Sequence, residues 1–301
     1  MRQDSKIGVE KLCALFGKTR HAYYDREWAL NEQSIEYAIV LKLVEDQRLL
    51  LPRVGTPKLH SLIQGSLAQH NIKMGIKKLH DLLSFYGMTI RRKRRKTVTT
   101  FSKHWLKKYP NLIKEIEVSY PEEVWVSDIT YIALKNGFCY LSLITDAYSR
   151  KIMGYCLHPT LDRLGPLQAL HNALSQRRYP EHKIIHHSDR GIQYCCGDYI
   201  KCLKQANLLI SMTENGDPYE NAIAERVNGI LKDEFCLDRV FDNYEQAMSE
   251  VVRIVPIYNV HRPHASCNYL PPEQAHQQKG PLKRRWKTYY RSNKTEENAP
   301  V

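Results

Sequence analysis

Apolar side chains return at helical intervals along residues 31–50: Ile35, Ala38, Ile39, Leu43 and the pair Leu49-Leu50. This is the rhythm of a half-buried helix. Asn31 or Ser34 is placed to cap its start, and Pro52 with Gly55 ends it. A second helix is predicted over 57–69, with Leu59, Leu62, Ile63 and Leu67 inward, and a third over 75–86, with Ile76, Leu79, Leu82 and Leu83 inward. Three short helices joined by tight turns predict a small all-α, helix-turn-helix-like module. Residues 1–30 read as a basic-aromatic lead ending in Tyr23-Tyr24-Asp25.

From residue 119 the period changes. Val124–Ala133 and Phe138–Thr145 read as strands around a turn at Lys135-Asn136-Gly137, and Lys151–Leu157 is a candidate third. A helix over Leu164–Ser175, a strand over His182–His186, a helix over Asp198–Gln205 and a strand over Leu208–Met212 follow. Tyr219–Phe235 and Tyr244–Tyr258 are again helical. A meander followed by alternating helices and strands predicts an α/β domain with a mixed sheet flanked by helices. Beyond Gln278 the chain is polar and carries Lys283-Arg284-Arg285-Trp286-Lys287, which reads as a mobile basic tail.

Charge sharpens this division. The formal net charge is +13, and residues 1–120 hold 23 Lys/Arg against 11 Asp/Glu, whereas residues 121–301 hold 22 against 21. The N-terminal part is therefore a polycation, which points to nucleic acid. Its densest run is Arg91-Arg92-Lys93-Arg94-Arg95-Lys96. Such a run is a solvated linker, a phosphate-gripping hinge, or both. The eight cysteines form no C-x-x-C pair and read as buried reduced thiols. With no secretory signal and no 18-residue apolar run, the expectation is a cytoplasmic protein without a membrane partner.

Three acids then stand out. Asp128 falls within the apolar run Val124–Ile129, on the same strand face as Val126, where a carboxylate needs a metal or hydrogen-bond donors. Asp189 follows Ile184-Ile185 and precedes Arg190-Gly191, a strand-end loop of the kind that carries function on open α/β sheets. Glu225 sits in a helical pattern with Asn221 four residues before it and Lys232 seven after, which predicts one face able to hold a metal, a nucleotide or a phosphate. Each acid taken singly is more often an ordinary surface or edge residue. Together, three carboxylates make a hard oxygen site suited to Mg²⁺ or Mn²⁺.

The set reads W-x-x-D-I-T-Y around Asp128, H-S-D-R-G-x-Q-Y around Asp189 and E-N-A-x-A-E-R-x-N-G-x-L-K-x-E around Glu225. It resembles the catalytic core of DDE transposases and retroviral integrases, most nearly the OrfB half of bacterial insertion sequences of the insertion-sequence-three family. The 35 residues between Asp189 and Glu225, the later Tyr258-Asn259-x-x-Arg262-Pro263-His264 and the following Pro271-Pro272 fit that family's pattern. The resemblance covers roughly residues 31–275. It implies an RNase H-like mixed five-stranded sheet, with Asp128, Asp189 and Glu225 as ligands of two divalent ions. Lys232 would lie near element-end DNA, with Asn221 as a further DNA-facing candidate. The activity implied is metal-dependent cleavage that leaves a 3′-hydroxyl, then transfer of that end to target DNA.

The expected domains are a lead (1–30), a helical DNA-binding domain with basic linker (31–97), the catalytic core (118–236), its helical extension (237–278) and the tail (279–301). The expected partners are element terminal inverted repeats and target DNA, further copies of the chain, and an upstream-frame helix-turn-helix protein, since no heptads precede residue 31. In a bacterium this places the protein in the cytoplasm at the nucleoid. A DNA-binding regulator built on an inert core is the competing reading, against which the intact triad argues. A retroviral-type integrase would need an N-terminal zinc knot, and residues 1–120 contain one cysteine.

Overall fold

The computed structural model describes residues 9–90, 105–114, 116–214 and 221–283. It divides into two compact units, Met1–Leu49 with Gly55–Thr89, and Leu50–Val54 with Ile90–Val301. The basic run Arg91–Lys96 and tail residues 284–301 lie outside the described residues.

The first unit is helical: α1 (Val9–Leu15), α2 (Arg20–Leu50), α3 (Thr56–Gln69) and α4 (Ile76–Phe85). Leu59, Ile63 and Leu67 from α3 and Leu79, Leu82 and Leu83 from α4 are buried, as are Val40 and Val44 from α2. The expected second and third helices are present. The first is longer than expected. It begins at Arg20, and the Thr19 hydroxyl accepts a hydrogen bond from the Ala22 amide at 3.1 Å. Asn31 and Ser34 therefore fall inside the helix and not at its start. The early turns escaped the pattern because their large side chains, Tyr23, Tyr24 and Trp28, are exposed and leave no inward stripe.

The second unit is built on a five-stranded sheet of order β3-β2-β1-β4-β5. Strands β1 (Val124–Leu134), β2 (Gly137–Asp146) and β3 (Ile152–His158) form an antiparallel meander. Strands β4 (Ile185–Ser188) and β5 (Leu209–Met212) add in parallel beside β1. Helices α5 (Leu164–Ser175), α6 (Ile192–Cys195), α7 (Gly197–Gln205), α8 (Ala222–Glu234), α9 (Tyr244–His261) and α10 (Pro272–Ala275) complete the unit. This is the RNase H-like arrangement. One apolar cluster joins Trp125, Ile144 and Met153 of the sheet to Ala169, Leu170 and Ala173 of α5 and to Tyr199 and Leu203 of α7. Val124, Val126 and Ala147 belong to a second cluster with Ala224 of α8. The alternation of β1 thus sends Val126, and with it Asp128, toward α8. Gly154 lets α5 lie almost against β3, since a Cβ there would sit 2.1 Å from the Ala169 carbonyl oxygen.

Strand β4 starts three residues later than its apolar pattern suggests and runs through His186-His187-Ser188. A polar central strand is tolerable because its side chains find partners. His186 Nε2 lies 2.8 Å from Ser127 Oγ and 3.0 Å from the Tyr199 hydroxyl, and His187 Nδ1 lies 2.8 Å from Ser211 Oγ. Burial pushes the His186 pKa down to about 3, so the ring is neutral and serves the core.

The Tyr-Asn-x-x-Arg-Pro-His segment is a structural clamp. The Tyr258 hydroxyl donates to the Arg150 carbonyl at 2.8 Å. The Asn259 amide makes two bonds to the backbone of Ile152, accepting from its N–H at 2.9 Å and donating to its carbonyl at 3.0 Å. Arg262 is buried and pairs with Glu234 at the end of α8. Farther along, the buried His276 lies between two buried carboxylates, 3.4 Å from Glu122 Oε1 and 3.6 Å from Asp146 Oδ1.

Candidate active site

Asp128 stands in the middle of β1, part-buried, opposite Leu143 of β2. Its Oδ1 accepts from the Ile129 amide at 2.9 Å and its Oδ2 from Asn228 Nδ2 at 2.7 Å. On the other side β1 pairs with β4 in parallel, with Ser127 level with Ser188. The residue after each serine is an acid, Asp128 within β1 and Asp189 just past the end of β4, so the register brings the two acids near each other. Asp189 Oδ1 accepts from the Gly191 amide at 2.9 Å, which folds the loop around it. Glu225 projects from the first turn of α8 and is exposed.

The electrostatics record this proximity. Burial, then the neighbouring Asp189 carboxylate, and more weakly Glu225, push the Asp128 pKa up to about 7, against the pull of the Asn228 amide and the Ile129 N–H. Glu225 is also raised, by burial and then by Asp189. The structure therefore brings the three acids within electrostatic reach of one another. Among the described residues, however, no group of three or more His, Cys, Asp or Glu is assembled tightly enough to grip an ion as it stands. The chemistry of the set still fits a divalent cation. Its oxygens are hard donors, and crowded negative charge raises both Asp128 and Glu225.

One expectation changes here. Asn221 is buried, and its Nδ2 donates to the Ser127 carbonyl at 3.0 Å, so its amide is turned to β1 instead of toward DNA. The helical-face argument failed because α8 begins at Ala222, leaving Asn221 as the residue before the helix. Lys232 does lie in the last turn of α8, seven residues after Glu225 and part-exposed. Asn228 was not singled out, although it stands in the quoted motif three residues after Glu225, the spacing that puts two side chains on one helix face.

Comparison with known proteins agrees with this arrangement. An "Integrase core domain" family matches residues 119–218, and a second family of the same description matches residues 207–272. The transposase InsF of insertion sequence IS3A from Escherichia coli K12 is 31% identical over 281 residues, covering 91% of this chain and 95% of its own. The chain belongs to the IS3 family of bacterial DDE transposases. An IS600 protein of 31 kDa from Shigella sonnei is 33% identical over 269 residues, covering 87% of this chain and 96% of its own. Among solved structures, a simian T-cell lymphotropic virus intasome shows 18% identity and a TM-score of 0.46 over 73% of this chain and 74% of that one. The HTLV-2 integrase catalytic core in complex with magnesium shows 16% identity and a TM-score of 0.41 over 52% and 97%. As an IS3-family transposase the protein is a polynucleotidyl transferase of DNA transposition and integration, and cores of this family depend on metal. No helix among the described residues is long and apolar enough to cross a membrane.

Proposed function

We propose that Asp128, Asp189 and Glu225 are the catalytic triad, and that they hold two divalent ions, Mg²⁺ or Mn²⁺, for cleavage and strand transfer at insertion-sequence ends. The observation that carries this reading is geometric: the parallel pairing of β1 with β4 brings Asp128 and Asp189 together, and Asn228 ties the helix that bears Glu225 to the Asp128 carboxylate. Such metal, when bound, supplies Lewis acidity to the phosphodiester being exchanged. The chain's own part is to hold the donors. The strand pair β1–β4 fixes the two aspartates, α8 presents the glutamate, and Asn228 and the Ile129 amide orient Asp128. Lys232 on α8 and the run Arg91–Lys96 supply cations for the DNA backbone. The partners are the terminal inverted repeats, target DNA, further copies of the chain and an upstream-frame helix-turn-helix protein. The setting is the bacterial cytoplasm at the nucleoid.

The test is a strand-transfer assay on terminal inverted repeats with Mg²⁺ or Mn²⁺. Joined products that disappear with Asp189→Asn or Glu225→Gln support the reading. Products that persist in both variants overturn it.

A further inference from the structure

We propose that Asn221 and Asn228 are positioning residues: a pair of amides that holds the Glu225 helix in register with the strand bearing Asp128. Asn221 stands just before α8, and Asn228 lies in its second turn. Asn221 Nδ2 donates to the carbonyl of Ser127, and Asn228 Nδ2 donates to the carboxylate of Asp128, the next residue along β1. The helix is thus pinned at two points, seven positions apart, to neighbouring residues of one strand. Glu225 lies between the pins, four residues after one and three before the other. A helix rises about 1.5 Å per residue, so a slip of one residue would displace Glu225 by more than the tolerance of a metal ligand.

Both side chains are buried, and in both the Oδ1 atom has no hydrogen-bond partner among the described residues. A buried amide with a stranded oxygen is costly, and an apolar side chain of similar size would avoid that cost. What the amide supplies in return is a neutral donor. With the Ile129 N–H on Oδ1 and Asn228 on Oδ2, the Asp128 carboxylate is fixed in orientation, and a carboxylate retains further lone pairs for a ligand. A Lys or Arg at position 228 would orient Asp128 equally well but would compete with a cation for its charge. This inference rests on the triad reading above. It adds that the geometry of two triad members depends on the two asparagines that tie α8 to β1.

The test measures Mn²⁺ binding to the full chain by loss of the free-ion paramagnetic resonance signal. Asn228→Leu and Asn221→Ala are each expected to weaken Mn²⁺ roughly tenfold, the usual scale for removing a group that orients a metal ligand. Val251→Ala, which thins the core beneath α9, serves as a destabilised control and is expected to keep the affinity of the unaltered protein. Should Asn228→Leu fail to fold, Asn228→Ala carries the same expectation. Affinity retained within roughly twofold in either asparagine variant overturns the proposal, as does an equal loss in Val251→Ala. Asp189→Asn reports on the triad separately: undiminished Mn²⁺ binding there defeats the triad reading whatever the asparagines do.

Discussion

Arg262 grips Glu234 through two hydrogen bonds, Nε to Oε2 at 3.0 Å and Nη2 to Oε1 at 2.6 Å, across 28 residues of sequence. The guanidinium is 1% exposed and the carboxylate 14%. Removing one partner of such a pair strands the other charge. Arg262→Met is therefore expected to destabilise the fold by about 3 kcal/mol. The double variant Arg262→Met with Glu234→Gln should recover part of that loss in urea unfolding. No recovery would mean that the pair is not coupled.

Chemistry and DNA affinity should separate. Asp189→Asn and Glu225→Gln each delete a charge of the proposed triad without touching the basic N-terminal half. Strand transfer is expected to fall by at least about 10³-fold, while gel-shift affinity for the terminal repeats holds or rises slightly. A parallel loss of binding would show that the acids serve the fold.

In metal-free buffer the crowded site should oppose folding, and the sign follows from the Asp128 shift. A carboxyl raised to about 7 in the folded protein penalises the folded state once pH exceeds the unfolded value near 4. The penalty grows until pH passes 7 and then levels off. Asp128→Asn is expected to raise stability in chelator by roughly 1–3 kcal/mol at pH 8 and by almost nothing at pH 4. Adding Mn²⁺ should stabilise the unaltered protein and leave the variant unmoved in thermal melts.

The imidazole of His276 should respond to pH in the opposite sense. Burial lowers its pKa, but hydrogen bonds to Asp146 and Glu122 outweigh burial, and the net shift is upward from 6.5. Its stabilising contribution is complete below 6.5 and is lost as pH rises through the folded value. Glu122 shifts the other way: burial raises it, yet bonds from His276 and from the Arg178 and Tyr179 amides bring it below its ordinary value. Its contribution is lost only as pH falls below the ordinary carboxylate range. His276→Leu is therefore expected to destabilise more at pH 6 than at pH 9, by on the order of 1 kcal/mol, in denaturant titrations at the two values.

Steric closeness gives a last expectation. Gly154→Ala would drive a Cβ to within 2.1 Å of the Ala169 carbonyl and 2.5 Å of the Ala173 nitrogen, both backbone atoms of α5. Neither can rotate away. A loss of about 3 kcal/mol is expected in urea unfolding, and a neutral outcome would contradict the packing of α5 on β3.

Sequence periodicity was most informative where one face is dry. Helix α5 follows its pattern to the residue because Ala169, Leu170 and Ala173 are all buried against the sheet. The start of α2 was missed by eleven residues, since its exposed aromatics carry no inward stripe and only the Thr19 hydroxyl marks the beginning. Strand β4 was misplaced because hydropathy cannot see that His186 and His187 have hydroxyl partners waiting on β1, α7 and β5. The acids were legible as a set from their neighbours. That Asn221 turns to the Ser127 carbonyl was not, because α8 begins at Ala222, three residues later than the pattern suggests, which leaves position 221 outside the helix.

The His276 contact has a practical consequence for anyone trimming this protein. The integrase-core match ends at residue 272, a natural place to cut. A chain stopped there would discard the imidazole that bridges Glu122 and Asp146, leaving Glu122 to Arg177 and Asp146 to the backbone N–H groups of Glu122 and Ser149. Such a fragment should express poorly or aggregate near neutral pH, and a few more residues, through Gly280 with its carbonyl on the Tyr148 hydroxyl, should rescue it.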